Sequence, residues 1–183
     1  KIGSKGKFNI KLKATEADFY QLGFSKYDFI TLLIEPGEKI NLAFDGKNLF
    51  ENYSVAGSEG SEKLRYLDVT LADTKRKLDS LSTTYTKASA EPGFDTRGPE
   101  LEGQFNQILK EQRKKSITFI LGNVNSLASI KALYQRISAD AYVLYDPKDL
   151  QFLKIVTDSL SVKYPKSKHV QALASDFNKE MNQ

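Results

Sequence analysis

Few residues in this chain could do chemistry. Of its 183 residues none is Cys and one, His169, is His, so the raw material for thiol exchange or a transition-metal site is missing. His169 is the natural first suspect for acid-base work, because imidazole is the side chain suited to proton transfer near neutral pH. It sits in KSKHVQAL, in the first turn of an expected helix among lysines and with no acid beside it in sequence, which reads as a solvated surface histidine. Asp140, Asp146 and Asp149 form a carboxylate trio that could hold a hard cation such as calcium, but their spacing matches no EF-hand loop. The competing reading makes Asp146 the cap before Pro147 and places Asp149 in a first helical turn, where the dipole favours carboxylates. Glu100, Glu102 and Glu111 read as a solvated face. The basic runs Lys75 to Lys77 and Arg113 to Lys115 could meet phosphate, but they lack the interleaved aromatics and Gly-rich loop such contacts use, and so read as solvated helix backs.

Aromatic residues are the other candidates. Tyr20, Phe24, Tyr27, Phe29, Phe44, Phe50 and Tyr53 could line a groove for a sugar or peptide, yet alternation assigns most of them to a core. Tyr142 and Tyr145, flanking Val143 and Leu144 between two expected helices, are better placed for an exposed contact surface, the alternative being that this link packs on the bundle.

These residues must be positioned by two kinds of element, which meet at YSVAGSEGS. Before it, Phe8, Ile10 and Leu12, then Tyr20, Leu22 and Phe24, then Ile40, Leu42 and Phe44 alternate with other residues, the mark of half-buried strands. The first strand starts within a few residues of Lys1, with Gly3 and Gly6 reading as the end of a turn whose earlier strand is missing. Asp18 to Phe24 and Tyr27 to Glu35 are expected as a hairpin. Glu35-Pro36-Gly37-Glu38 suits a type II turn into a strand over Lys39 to Phe44, and Glu51 to Val55 is a last extended piece. About five strands in one meander, with one face buried, are the expectation.

After Ser58 the period becomes helical. Ser61 is expected to cap a long helix running to about Thr86, with Leu64, Leu67, Leu71, Thr74, Leu78, Leu81 and Tyr85 on one face. Pro99, after the loop Ala88 to Gly98, is expected to open a second, antiparallel helix through Ile120. A third helix capped by Asn125 or Ser126 and bearing Leu127 to Ile137 follows. A fourth runs from Asp146-Pro147 to Tyr164-Pro165, and a fifth follows Ser167. The expectation is an α+β chain: a small antiparallel sheet or partial sandwich over residues 1–57, then a bundle of about five helices over 58–183.

Composition limits the classes. With 40% hydrophobic and 27% charged residues and a net charge of +4, the chain can bury a core and carries only a modest cationic surplus, a poor match to nucleic acid. No apolar run is long enough to span a bilayer. The chain starts without Met and shows no signal region, so a targeting peptide is expected to have been removed or never included.

The stretches FITLLIEPGEKINLAFDG, YSVAGSEGSEKLRYL, ITFILGNVNSLASIKALYQ and DLQFLKIVTDSLSVKYPKSKHVQAL together resemble the N-terminal region of envelope thiol-disulfide oxidoreductases of gut Gram-negative bacteria. In that family a small β domain and a helical segment precede a thioredoxin-like domain of the redoxin class. The resemblance implies a periplasmic or envelope location and a C-terminal thioredoxin-like domain in the same parent chain, with a lipid anchor on that parent left open. The family's Trp-Cys-x-x-Cys motif has no counterpart here, since Trp and Cys are both absent, so no catalytic residue carries over. The resemblance implies a non-catalytic accessory region, used to dimerise, to bind a client or to position the redox domain. The alternative is an independent periplasmic ligand- or protein-binding domain. Neither metal nor cofactor is expected.

Overall fold

A computed structural model of the chain describes residues 6–23, 25–26, 28–45 and 52–181. Strands β1 (Asp18–Gly23), β2 (Phe29–Ile34), β3 (Asn41–Ala43) and β4 (Ser54–Ala56) precede helices α1 (Glu59–Ala88), α2 (Phe94–Gly122), α3 (Ala128–Leu133), α4 (Leu150–Lys163) and α5 (Lys168–Met181). Among the described residues the chain is therefore α+β with five α-helices, as the change of period predicts. No helix among the described residues is long and apolar enough to cross a membrane.

The expected hairpin forms, with β1 antiparallel to β2 from Asp18 opposite Ile34 to Gly23 opposite Phe29. Gly37 takes φ +85°, and the Glu38 N–H donates to the Glu35 carbonyl at 3.4 Å, as the turn after β2 requires. The single meander does not form. β3 pairs with β4 in a second two-stranded sheet, because the edge of β2 away from β1 is already occupied at Leu33. The Leu33 N–H donates to Ser61 Oγ at 3.1 Å, and the Ser58 and Ser61 hydroxyls both donate to its carbonyl at 2.9 Å. Two serines at the head of α1 stand where a third strand would pair.

The expected strand over Phe8 to Leu12 is also absent. The segment has no regular secondary structure and pairs with no strand among the described residues, and Ile10 and Leu12 are 59% and 46% exposed. Alternation marks a backbone suited to a ladder but cannot supply the neighbouring strand. Phe24, Tyr27 and Phe50 lie outside the described residues. Tyr20, Phe29 and Phe44 are half-buried and Tyr53 is buried.

The two faces of β2 serve different cores, as its period of two dictates. Ile30, Leu32 and Ile34 pack with Tyr53, Ile40, Leu42 and Val55 between the two sheets, whereas Leu33 enters the helical core beside Leu64, Leu67 and Ile120. One strand thus contributes to both cores.

The cap of α1 is Ser58, three residues before the expected Ser61. Ser58 has extended backbone and its Oγ accepts from the Ser61 N–H at 3.3 Å, while the Gly57 N–H donates to Glu62 at 3.0 Å. Ser61 is left free to bind β2. Helix α2 opens at Phe94, five residues before Pro99, because Gly93 reverses the chain at φ +87°. Pro99 sits close enough to the helix start that only one missing amide bond is at stake. α1 and α2 run antiparallel, as Tyr66 stacks on Phe119 at 5.8 Å near one end and Tyr85 meets Phe94 edge-on at 5.2 Å near the other. Helix α3 ends at Leu133, short of the expected Ile137, because Gln135 turns inward to donate to the Leu67 carbonyl at 3.0 Å. Asp146 and Asp149 form the expected cap as a reciprocal box around Pro147–Asp149, which runs directly into α4.

The approach of α1 to β2 is close. A Cβ on Gly60 would lie 2.7 Å from Leu33 Cγ and 3.0 Å from its carbonyl oxygen, so Gly60→Ala is expected to cost about 1–3 kcal/mol by overpacking. Ser61→Ala would strip the buried Leu33 amide of its acceptor, at a similar cost of about 1–3 kcal/mol. Urea denaturation followed by circular dichroism measures both, and Ser61→Ala should also speed exchange of the Leu33 amide. Wild-type midpoints would overturn the bracket.

Candidate functional site

The candidate residues are distributed by the fold into three structural ties and two exposed features. Asp68 is the deepest carboxylate. It lies one turn past Leu64, which aims it inward, and it is 3% exposed. Lys131 of α3 meets one carboxylate oxygen at 2.5 Å and the Tyr53 hydroxyl donates to the other at 3.2 Å. Sheet, long helix and short helix are thereby joined at one side chain. Burial, then the Asp68 charge, pushes the Tyr53 phenol well above its ordinary value, only partly opposed by Arg65, whose guanidinium lies 4.3 Å over the ring.

A second tie is uncharged. Thr74 donates to Gln112 Oε1 at 2.8 Å, and Ser116 donates to Gln135 at 3.0 Å, a group that also faces Gln112 Nε2 at 3.4 Å. The third is the ion pair of Arg113 with Asp149, whose carboxylate also accepts the Asp146 N–H at 3.0 Å. It corrects two sequence readings: Asp149 is withdrawn from any open carboxylate trio, and Arg113 is not a solvated cation, because α4 starts against α2. Asp146 meets Asp149 as its capping partner and Asp140 is exposed, and among the described residues no group of three or more ligating side chains converges.

His169 is also placed differently from its sequence reading. It is half-exposed, but Asp18 at the start of β1 approaches its Nε2 at 3.1 Å and Phe19 packs edge-on at 4.9 Å. The acid missing from its own segment comes from a strand distant in sequence. This pair docks α5 on the hairpin. Glu100, Glu102, Glu111 and Lys75 to Lys77 are exposed as expected, with Lys77 paired to Asp73 at 2.9 Å.

Tyr142 and Tyr145 belong to a projecting hairpin between α3 and α4. Ile137 N–H donates to Ala141 at 2.8 Å and Val143 N–H to Gln135 at 2.9 Å, closing a narrow loop. Val143 is buried and Leu144 packs on the helical core, so the loop is anchored from inside. Arg136 lies 4.2 Å over the Tyr142 ring and donates to its hydroxyl and, at 2.8 Å, to the Ala139 carbonyl. Tyr142 is 39% exposed and Tyr145 67%. Beside them the Tyr134 hydroxyl donates to Asp176 at 2.9 Å, and burial with that bond raises the phenol above its usual range. Large rings held in fixed orientations at a surface contribute contact area at low entropic cost.

The other exposed feature is a polar cleft of about 240 Å³ where β2, α1, α2 and α4 end together, lined by Glu35, Glu59, Lys63, Asn125, Lys163 and Tyr164 among others. Its charges are internally matched. Lys63 pairs with Glu59 at 2.5 Å, holding that carboxyl below the usual range. Lys163 donates to the Asn125 carbonyl at 3.0 Å, and the adjacent Tyr164 hydroxyl keeps its ammonium charged to higher pH than usual, with a smaller pull from Glu35 and Glu59. Sequence reasoning misses this cleft because its residues come from four distant segments, and it misses Asp68 too, although a carboxylate one turn past Leu64 on the leucine stripe is the signal that could have found it.

Two outcomes follow from these ties. Lys131→Met would leave Asp68 buried without a cation; a fully buried pair loses about 3–5 kcal/mol in this way, and partial solvent access to Lys131 should hold the loss nearer ~2 kcal/mol, read by denaturation. The raised phenols stabilise the fold below the ordinary tyrosine value of ~10, and that contribution is lost as pH climbs toward their folded values. Alkaline absorbance titration should show late-ionising tyrosines, one of which disappears in Tyr53→Phe.

No family model matches the chain, and no curated protein or solved structure matches it either.

Proposed function

We propose that the chain is a non-catalytic accessory region that makes protein contacts, the N-terminal portion of an envelope thioredoxin-like thiol-disulfide oxidoreductase in the periplasm or cell envelope. The observation that supports a contact role is the anchored hairpin presenting Tyr142 and Tyr145, with Arg136 ordering the first ring. The redox parent rests on the resemblance of the segments around the Glu35 turn, the Gly57 junction and the helices. The chain has no cysteine, so any thiol exchange belongs to a partner or a further domain. A dimer contact, a client or the redox domain itself could be what the rings meet. A second reading, an independent periplasmic ligand-binding domain, is favoured by the cleft beside Glu35 and Lys163.

The test is to sequence the reading frame beyond Gln183 and to assay its full product for insulin reduction with dithiothreitol. A downstream Trp-Cys-x-x-Cys stretch and activity in the full product, with none in these 183 residues, are the expected results. A stop codon at that point, or an inert full product, would sink the redox assignment and favour the ligand-binding reading. In an active parent, Tyr142→Ala combined with Tyr145→Ala should leave turnover intact and lower chemical crosslinking to the redox domain, a client or a second copy. Unchanged crosslinking to all three would remove these rings from the contact.

A further inference from the structure

The polar cleft where β2, α1, α2 and α4 end together combines a balanced charge with groups that the fold leaves unanswered. Glu35, Glu59, Lys63 and Lys163 line it, two acids and two bases whose formal charges sum to zero. Only Lys63 and Glu59 are in contact, at 2.5 Å. The Glu35 carboxylate forms no ion pair among the described residues, although its charge reaches the Lys163 ammonium. Lys163 in turn touches no carboxylate. It donates to the Asn125 carbonyl at 3.0 Å and lies 5.0 Å over the Tyr164 ring, and an ammonium has three donors to place. The loop between α2 and α3 adds two more. Val124 and Asn125 line the same cleft, and their backbone N–H groups have no acceptor among the described residues, because the turn closes through the N–H groups of Asn123 and Ser126 instead.

Backbone N–H groups beside an ammonium form a seat for a carboxylate, and the bond from Lys163 to the Asn125 carbonyl holds the ammonium next to this loop. An unpaired carboxylate in the same cleft is a seat for an ammonium. We propose that the cleft binds a free α-amino acid, with its carboxylate at Lys163 and the Val124 and Asn125 N–H groups and its ammonium at Glu35 and Glu59. Charge selects this class. A phosphate or a metal cation would add its own charge to a neutral cleft and leave one of the unpaired groups facing a like charge, whereas a zwitterion meets both groups and keeps the sum at zero. Size selects within the class. The cleft holds about 240 Å³, equal to roughly eight waters at ~30 Å³ each, which suits an amino acid and is too small for a peptide of several residues. This inference rests on the ligand-binding reading given above and is independent of a redox parent.

The experiment titrates L-valine into the isotope-labelled chain and follows backbone amide shifts by NMR. Two controls each lack one end: valinamide keeps the ammonium without the carboxylate, and N-acetylvaline keeps the carboxylate without the ammonium. The expected result is saturable shifts at Val124, Asn125 and Ser126 with half-saturation below ~1 mM, and at least ~tenfold weaker binding of either control. Glu35→Gln should weaken valine at least ~tenfold while leaving N-acetylvaline unchanged, and Lys163→Met should do the same while leaving valinamide unchanged, since each variant removes the seat of one end. Both side chains are exposed, so both variants should keep the wild-type thermal midpoint. No shift at the cleft with ~10 mM valine overturns the inference. Equal binding of valine and either control also overturns it, and in that case the ligand-binding reading stands with a ligand of single charge. A redox domain found beyond Gln183 would alter neither outcome.

Discussion

The rest of the structure depends on the bracket that two serine hydroxyls make around one residue of β2. Leu33 has its N–H and carbonyl turned away from β1, because it stands opposite Phe19 at a position where the ladder leaves these groups outward. Buried and unpaired, they would destabilise the fold. Ser58 and Ser61 satisfy them, and both serines are almost fully buried. The same contact ends the sheet at that edge, fixes where α1 begins, and points the Leu33 side chain into the helical core. Gly60, between the serines, removes the Cβ that would hold helix and strand apart. One short stretch thus sets the relation of the two halves through hydrogen bonds that have geometry, where apolar contact alone would allow sliding.

The helical half is held in register by a comparable device. Its core of Leu, Ile, Val and Phe supplies most of the free energy of burial, but apolar surfaces do not by themselves select one arrangement of five helices. Asp68, Gln112 and Asp149 do so, each joining elements far apart in sequence. Such buried polar groups contribute little net stability compared with well-packed apolar residues and a great deal of cost when mispaired. Their effect is to penalise alternatives. All three are engaged by protein partners, so Asp68 and Asp149 act as architectural groups.

Much of the architecture was legible because it depends on local periodicity. The hairpin, the turn at Gly37, the stripe from Leu64 to Leu78, the start at Asp146-Pro147 and the stop at Tyr164-Pro165 all follow from spacing and from the preferences of Pro, Gly and Asp. What was not legible depends on long-range pairing. The choice of Ser58 over Ser61 as the cap follows from Ser61 being required by Leu33, 28 residues away in sequence. The split of one expected meander into two sheets has the same origin. His169 gained its acid from β1 and Arg113 lost its solvent to Asp149, and neither event is encoded in the neighbouring residues. The exposure of Tyr142 and Tyr145 was legible because aromatic residues in a link between helices already conflict with the usual composition of loops.

That conflict is informative in a general way. A sequence specifies its fold when pattern, propensity and burial agree, and a local disagreement marks a place where something other than folding sets the residues. Two such disagreements stand out among the described residues. Tyrosines 142 and 145 are large rings that the bundle does not bury, the first held by Arg136 and the second 67% exposed. Residues 7–13 have the alternation of a half-buried strand, yet Ile10 and Leu12 are exposed. The Tyr142 ring is preorganised by Arg136, so a partner would meet little ordering cost there. The hairpin is therefore suited to a fast, shape-selective contact.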